Sequence, residues 1–558
     1  MNISLINHYK KQLNNETWLS DIYQEYGVLS IISSILNRRV AVKYSKSTYY
    51  PNLYLLFVGD STSGKGTIIN NVVEKDILSV MSNMLLPKRF TPEGLFSILS
   101  DRSSMEETNE ESRGIICNDE LTSILSKKDY MSDLSNDLIE LYNCPDIYMK
   151  RLAKKSYTLH NVFLNALFGV QPFNLPEIVN KANITSGFLP RFIIITHTPS
   201  KRKFTNTDKI NSIYNKIMIE QLYDIFNNKI HYNQNDLMEN NNIENRVIMG
   251  IDPLSITYIF SIMDIINKIM DASISAYFNR ILDNIIKLAM LYKIDELIQS
   301  IMPIYNEIKF INSNVNIIKF KNYYENIDDI FDSITDSYLI REYNELYFSV
   351  NETIKAINEY IKTKNWHLSL YNTNVNDIVK MNIITKSMVS VANSFLKLDI
   401  PNIDYMKIND NDVLEYNQSN LMVYTKASNT IPTYTFDFNI HLHHVIRASY
   451  TILHEIHKKK MLLYSIAGTD IGKLYMNILN VIIDKYKNKK YEIYNDNICI
   501  NTKDMQISVN YKSVGQYHQV IDMLIDEGII TEILSGVKPY PYHLKKYYVI
   551  NDTFLKYI

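Results

Sequence analysis

Apolar positions in the first fifty residues recur at helical spacing. Trp18, Ile22, Tyr26, Leu29 and the run 32–35 line one face, and Arg38-Arg39 close the stretch, which predicts a helical segment over 1–50. The period then changes. Over 51–205, short apolar runs at 53–58, 114–117, 162–169 and 193–195 alternate with amphipathic segments, the pattern of an α/β sheet. Thr91-Pro92-Glu93 is a helix start, with Thr91 as cap and proline in the first turn, and the Glu-rich run 105–112 reads as a solvated loop.

Glycine placement divides the rest of the chain. Eight of the 14 glycines lie at or before Gly187 and five at or after Gly468, with none between 251 and 467. Turn-rich ends therefore flank a middle, 206–470, that is expected to be largely helical. Ile281, Ile285, Leu288 and Leu291, and Val350, Ile354, Ile357 and Ile361, keep helical spacing there. Asn-rich stretches near 232–245 and 405–420 are candidate linkers or surface insertions. The last segment, 471–558, predicts helices over 472–485 and 513–527, a short element over 502–509 and strands over 529–534 and 546–550, the order of a winged helix. Its second long helix can enter a DNA groove, with Lys512 and Gln516 facing outward. It can equally serve as a protein-docking module.

Composition adds boundaries rather than identity. The 558 residues are 46% hydrophobic and 21% charged, which fits an ordinary globular protein of several domains. Net charge is −2, so any nucleic-acid contact rests on local basic patches rather than a global field. Cys117, Cys144 and Cys499 are too few and too scattered for a disulfide framework or a cysteine zinc site, and they suit a reducing cytoplasm. The N-terminal residues carry no hydrophobic signal core, and no apolar run reaches the roughly 20 residues that span a bilayer. His441, His443, His444, His454 and His457 cluster without cysteine or a metalloprotease pattern.

The chemistry centres on Gly59-Asp60-Ser61-Thr62-Ser63-Gly64-Lys65-Gly66-Thr67, between the apolar run 53–58 and the helical pattern from Ile68. Strand, glycine-rich turn and helix in that order let consecutive backbone N–H groups wrap a β-phosphate while Lys65 reaches the β- and γ-oxygens. The spacing G-x-x-x-x-G-K is complete, but Gly66 follows the lysine and the hydroxyl comes one place later, at Thr67. A second strand ends in Asp119-Glu120, 54 residues after Lys65. There Asp119 would hold Mg²⁺ and Glu120 would polarise the water that attacks the γ-phosphate of ATP; the alternative is an ordinary strand with an acidic cap. A third strand ends in Val170-Gln171-Pro172, where the Gln171 amide can sense the phosphate or the attacking water. The fourth element, Gly187-Phe188-Leu189-Pro190-Arg191-Phe192, puts an arginine before the last strand, where it can reach a neighbouring subunit's nucleotide or form a surface salt bridge.

Together with Tyr50-Pro51-Asn52-Leu53 and Phe90-Thr91-Pro92-Glu93, these motifs occur in an order that resembles P-loop ATPases of plasmids, phages and integrated elements, relatives of the MCM-like AAA+ helicases. The likeness covers about 25–200 well and continues through 277–289, which resembles the helix of the second sensor arginine. The resemblance implies an AAA+ core with helical N-terminal and lid regions and a C-terminal winged helix. It also implies ATP and Mg²⁺ as ligands, a hexameric ring, and DNA and a primase as partners. By motif, Lys65 would bind phosphate, Asp119 and Thr67 metal, Glu120 water, Gln171 would be the first sensor, Arg191 the arginine finger and Arg280 the second sensor. Gly66 and Gln171 depart from the family's usual Ser/Thr and Asn. Gly-Lys-Gly-Thr also occurs in nucleoside monophosphate kinases, although the Asp-Glu strand and the downstream order argue against a kinase.

Between the acidic pair and the Gln171 strand, residues 148–159 read as a hairpin with a basic tip. In the helicases resembled, such an insert grips DNA, which makes Lys154 and Lys155, with Lys150 and Arg151 behind them, candidate phosphate contacts; a solvated basic turn is the alternative. The activity implied is ATP-driven translocation on, or unwinding of, DNA during replication of a mobile element. The alternative is an ATP-switched DNA-binding initiator or regulator that unwinds nothing.

Overall fold

The computed structural model describes most of residues 4–305 and 433–550, apart from short stretches that include 106–110, 122–131, 152–154, 197–211 and 230–245. Between these blocks it describes only 318–321, 407–408, 414–415 and 422–425. Thr62, Lys154 and Lys512 lie outside the described residues, as do the helical pattern at 350–361 and the tip of the hairpin.

The N-terminal expectation of helix holds for two elements, α1 (Leu5–Glu16) and α2 (Asp21–Leu36). It fails for the last ten residues, which form strands β1 (Val40–Tyr44) and β2 (Ser47–Tyr49). Val40-Ala41-Val42 is fully buried and pairs in parallel with β9 (Val247–Ile251), a partner about 200 residues away that local periodicity cannot reveal. α2 is buried almost all round, so it is an inner layer rather than a surface helix.

The central sheet contains β3 (Tyr54–Val58), β4 (Arg113–Asn118), β7 (Phe163–Val170) and β8 (Phe192–Thr196) in the order β4-β7-β3-β8, every pair parallel. An isolated parallel bridge, Leu85 to Ile115, lies along the outer edge of β4. All four strands are buried along their length, as parallel strands covered on both faces must be. Asn165 breaks the apolar run of β7 for a reason. Its Oδ1 accepts from Leu53 N (2.7 Å) and Ser33 Oγ (3.0 Å), and its Nδ2 donates to Ser34 Oγ (3.0 Å), pinning α2 to the start of β3.

α3 (Lys75–Val80) continues the π-wound turns Thr67–Glu74 that leave the glycine-rich loop. α4 (Pro92–Met105) begins as expected, with Thr91 Oγ1 accepting from Gly94 N at 3.1 Å. Glu111, expected in a solvated loop, is instead buried among Asn37, Arg39 and Arg113, each bonded to its carboxylate. After α5 (Ser132–Tyr142), the strands β5 (Ile147–Arg151) and β6 (Ser156–His160) form an antiparallel hairpin.

The middle of the chain is helical in α6 (Ser212–Asp224), α7 (Ala272–Phe278) and α8 (Ile281–Ile301), but it also contains β9 and a three-stranded sheet built from 318–321, 422–425 and 433–437. Helices Leu442–Leu453 and Ile456–Ala467 close this region, of which most of 306–432 lies outside the described residues. The C-terminal helices run Asp470–Lys487, Thr502–Ser508 and Val514–Asp526. Beside them stands an antiparallel sheet of 492–494, 497–501, 545–550 and 530–535 in that order, whose first two strands the apolar pattern did not reveal. Among the described residues, no helix is long and apolar enough to cross a membrane.

Candidate functional site

The loop 59–67 leaves the C-terminal end of β3, and Asp119 and Gln171 leave the same end of β4 and β7. All three therefore emerge at one edge of the sheet, as parallel register requires. Gly64 has φ +89°, a left-handed conformation that costs glycine little. Close approach explains two other glycines. A Cβ on Gly66 would lie 3.2 Å from Asp119 Oδ2, and one on Gly169 would lie 2.5 Å from Asp119 O. The Asp119 carboxylate thus sits against the residue that follows Lys65, and its backbone lies against β7.

Lys65 is 7% exposed and donates to Asp60 O at 2.9 Å. Burial lowers its pKa, while Asp119 and then Asp60 pull the other way. Ser63 Oγ is buried with no hydrogen-bond partner, although an unpaired buried hydroxyl is costly. Asp60, Ser61, Asp119, Glu120, Gln171 and Pro172 are exposed around the loop. An unpaired hydroxyl, an ammonium and a carboxylate beside the loop are side chains that can take an oxyanion and a divalent cation. Tyr23, which sequence reasoning did not single out, supports the loop from α2: its hydroxyl donates to Val58 O (3.0 Å) and lies 2.7 Å from where a Gly59 Cβ would stand.

Arg191 and Arg280 lie elsewhere. Arg191 immediately precedes β8, whose Phe192 is level with Tyr54, so it marks the opposite edge of the sheet, about 16 Å away over five residues of β3. Its side chain is expected from sequence to leave the sheet edge; the structure holds it 6% exposed, with Nη1 donating to Gly187 O at 2.7 Å and Nε buried without a partner. Burial, then Arg280, lowers its pKa. Arg280, at the start of α8, pairs with Asp283 at 2.7 Å. Burial opposes its charge, but the Asp283 hydrogen bond and charge raise its pKa on balance. The two arginines share one neighbourhood, and neither is at the loop edge of this chain.

A third cation joins them. Lys287 is buried with Nζ donating to Asn52 Oδ1 (2.6 Å) and 3.5 Å from the centre of the Tyr142 ring, and the Arg191 guanidinium lies 5.8 Å from that same ring. Burial pulls the Lys287 pKa down to about 8. Its place on a helix face among isoleucines and leucines gives no sequence signal, because a buried lysine reads like any polar break in the period.

The hairpin departs from expectation in one residue. Lys150 faces inward, with Nζ 2.5 Å from Asp137 Oδ1, and Tyr148 on the same face stacks on Phe96 of α4 at 5.8 Å. Alternation along β5 makes Ile147, Met149 and Arg151 the outward face; Ile147 and Met149 are exposed apolar residues. Lys155 is exposed, with its ammonium 4.8 Å from the Tyr157 ring centre. In the C-terminal region Gln516 is half-buried near the start of helix Val514–Asp526, its N–H donating to Ser513 Oγ (3.1 Å), and that helix contains no Lys or Arg.

His444 is held structurally: Nδ1 accepts from His441 N (3.0 Å) and Nε2 is 2.9 Å from Glu296 Oε2. Among the described residues, no group of three or more His, Cys, Asp or Glu side chains could hold a metal ion. Compared with family models and with curated proteins, the sequence matches none.

Proposed function

We propose that the chain is an AAA+ P-loop ATPase that assembles as a hexameric ring and couples ATP hydrolysis to translocation on, or unwinding of, DNA in the replication of a mobile element. One observation carries this reading: the loop, with its unpaired Ser63 hydroxyl and its lysine, meets the Asp119 carboxylate at Gly66, on the same sheet edge as Gln171. The strand order β4-β7-β3-β8, with the 85–115 bridge outside β4, supports an AAA+ core. The C-terminal order of helices and antiparallel strands supports a winged helix.

The loop N–H groups and Lys65 bind the phosphates, and Glu120 takes the proton from the attacking water. The site residues suit Mg²⁺, which Asp119 and Thr67 would hold and which would neutralise charge on the phosphates. Gln171 reports the state of the γ-phosphate. Arg191, at the far edge of its own sheet, is the arginine finger, which acts on the nucleotide of the next copy by exchanging its bond to Gly187 O for that phosphate, and Arg280 is the second sensor; an arginine supplied in this way is worth about 10³ in rate or more. DNA contacts come from Arg151, Lys154 and Lys155 on the hairpin.

A second reading, an ATP-switched DNA-binding initiator or regulator that unwinds nothing, draws on Lys150 being engaged with Asp137, which removes one cation from the hairpin that a motor would use to grip a moving strand. A forked-duplex strand-displacement assay separates the two. ATP-dependent displacement that is lost in Glu120→Gln supports the motor, and normal ATP turnover with no strand displaced at any salt refutes it. Titrating Arg191→Ala into wild type tests the shared site: activity must fall faster than the mutant fraction rises.

A further inference from the structure

Glu120 lies just beyond the end of β4, on an exposed bend, and its backbone N–H is bonded to Asn118. The Asn118 side chain is 4% exposed and uses both ends of its amide: Oδ1 accepts from Glu120 N at 2.8 Å, and Nδ2 donates to Lys88 O at 2.7 Å.

These two bonds continue the sheet where its ladder stops. Leu85 is level with Ile115, and Leu86 N donates to Ile115 O at 2.9 Å. Carried forward three residues in parallel register, Lys88 comes level with Asn118, and the amide side chain bridges the two segments in place of a further backbone bond. The Lys88 ammonium then donates to Asn70 Oδ1 at 3.0 Å and pairs with Glu74 at 2.7 Å, both on the turns that leave the loop. A continuous path thus runs from the helix behind Lys65, through Lys88 and Asn118, to the backbone of Glu120. A bond from side-chain oxygen to the N–H two residues on is the Asx arrangement, which only short polar side chains make. A larger apolar residue would complete the strand equally well as packing, yet would leave Lys88 O and Glu120 N without these partners.

We infer that Asn118 is a positioning residue for hydrolysis: it fixes the Glu120 backbone relative to the phosphate loop so that the carboxylate meets the attacking water. This rests on the reading of Glu120 as the group that polarises water. Misplacing a catalytic group by about 1 Å can cost on the order of 10²-fold in rate, whereas ATP binding uses the loop and does not require Glu120.

The test measures kcat and KM for ATP hydrolysis, and the Kd of a fluorescent ATP analogue, in wild type, Asn118→Ala, Asn118→Ser and Glu120→Gln. Serine keeps an acceptor for Glu120 N but cannot reach Lys88 O. The expected order of kcat is wild type, then Ser, then Ala, with Ala lowered about tenfold or more and analogue Kd within about twofold throughout. Equal kcat in wild type and Ala overturns the inference, as does a loss of kcat matched by an equal loss of affinity. If Ala does not fold, hydrogen exchange of the Glu120 amide in wild type decides: protection supports the bond, and exchange at the free-peptide rate overturns it. Undiminished hydrolysis by Glu120→Gln would instead refute the underlying assignment, whatever the Asn118 variants do.

Discussion

Asp295 gives a sharp test of how the N-terminal layer is held. Its carboxylate, on α8, is 2% exposed and accepts from Ile6 N, at the start of α1, at 3.1 Å. Burial raises its pKa to about 6, against the pull of Arg447 and the bonds from Ile6 and Ser4, with Glu25 adding to the rise. Because the folded pKa lies above the unfolded one, the folded state binds the proton more tightly between the two values. The stability that this carboxyl contributes is therefore lost as pH rises from about 4 to about 6, and its contribution is constant above that. A shift from 3.8 to about 6 corresponds to about 3 kcal/mol, at about 1.4 kcal/mol per unit. Asp295→Asn keeps an acceptor for Ile6 N and removes the charge. Urea unfolding followed by circular dichroism should show the variant about 3 kcal/mol more stable than wild type at pH 7.5, shrinking to about 1 kcal/mol at pH 4.5. A difference that is the same at both pH values, or a variant less stable at pH 7.5, refutes the assignment of a buried, charge-penalised carboxylate.

Other outcomes concern the site. Lys65→Ala should abolish ATP hydrolysis, and background-level turnover is the measurement to obtain; retained turnover removes the loop from the mechanism. Gly66→Ser should keep hydrolysis within about threefold of wild type, since the nearest atom to its Cβ is a carboxylate oxygen at 3.2 Å that a hydroxyl can face; loss of turnover would mean that Asp119 cannot give way. Gly169→Ala should lower turnover at least tenfold and destabilise by about 1–3 kcal/mol, because its Cβ would stand 2.5 Å from Asp119 O, a backbone atom that must shift; steady-state kinetics and a melting curve check both. Lys150→Met should weaken DNA binding less than Lys155→Met in a fluorescence-anisotropy titration, since the Lys150 ammonium is already engaged with Asp137; the reverse order counts against the inward assignment.

Much of the candidate site was legible because it is local. A glycine-rich turn, a lysine and a helix after an apolar strand are consecutive residues, and their backbone conformations are set by neighbours in sequence. The Thr91 cap and the C-terminal helices were legible for the same reason. Motif order alone joined Asp119 to the loop, whereas the approach of its carboxylate to Gly66 belongs to the sheet register.

What the sequence by itself determined, then, is where the loop, the acidic strand end and the helices lie along the chain, since short-range sterics and periodicity encode them. Tertiary structure alone decided which way several charged side chains face. Arg191 is buried against Gly187, Lys150 turns in to Asp137, Glu111 joins two arginines, and Lys287 sits beneath Tyr142. It also decided that 40–49 are strands. In each case the partner is chosen by packing across the fold, and a charged residue carries no local mark of whether a distant surface will cover it.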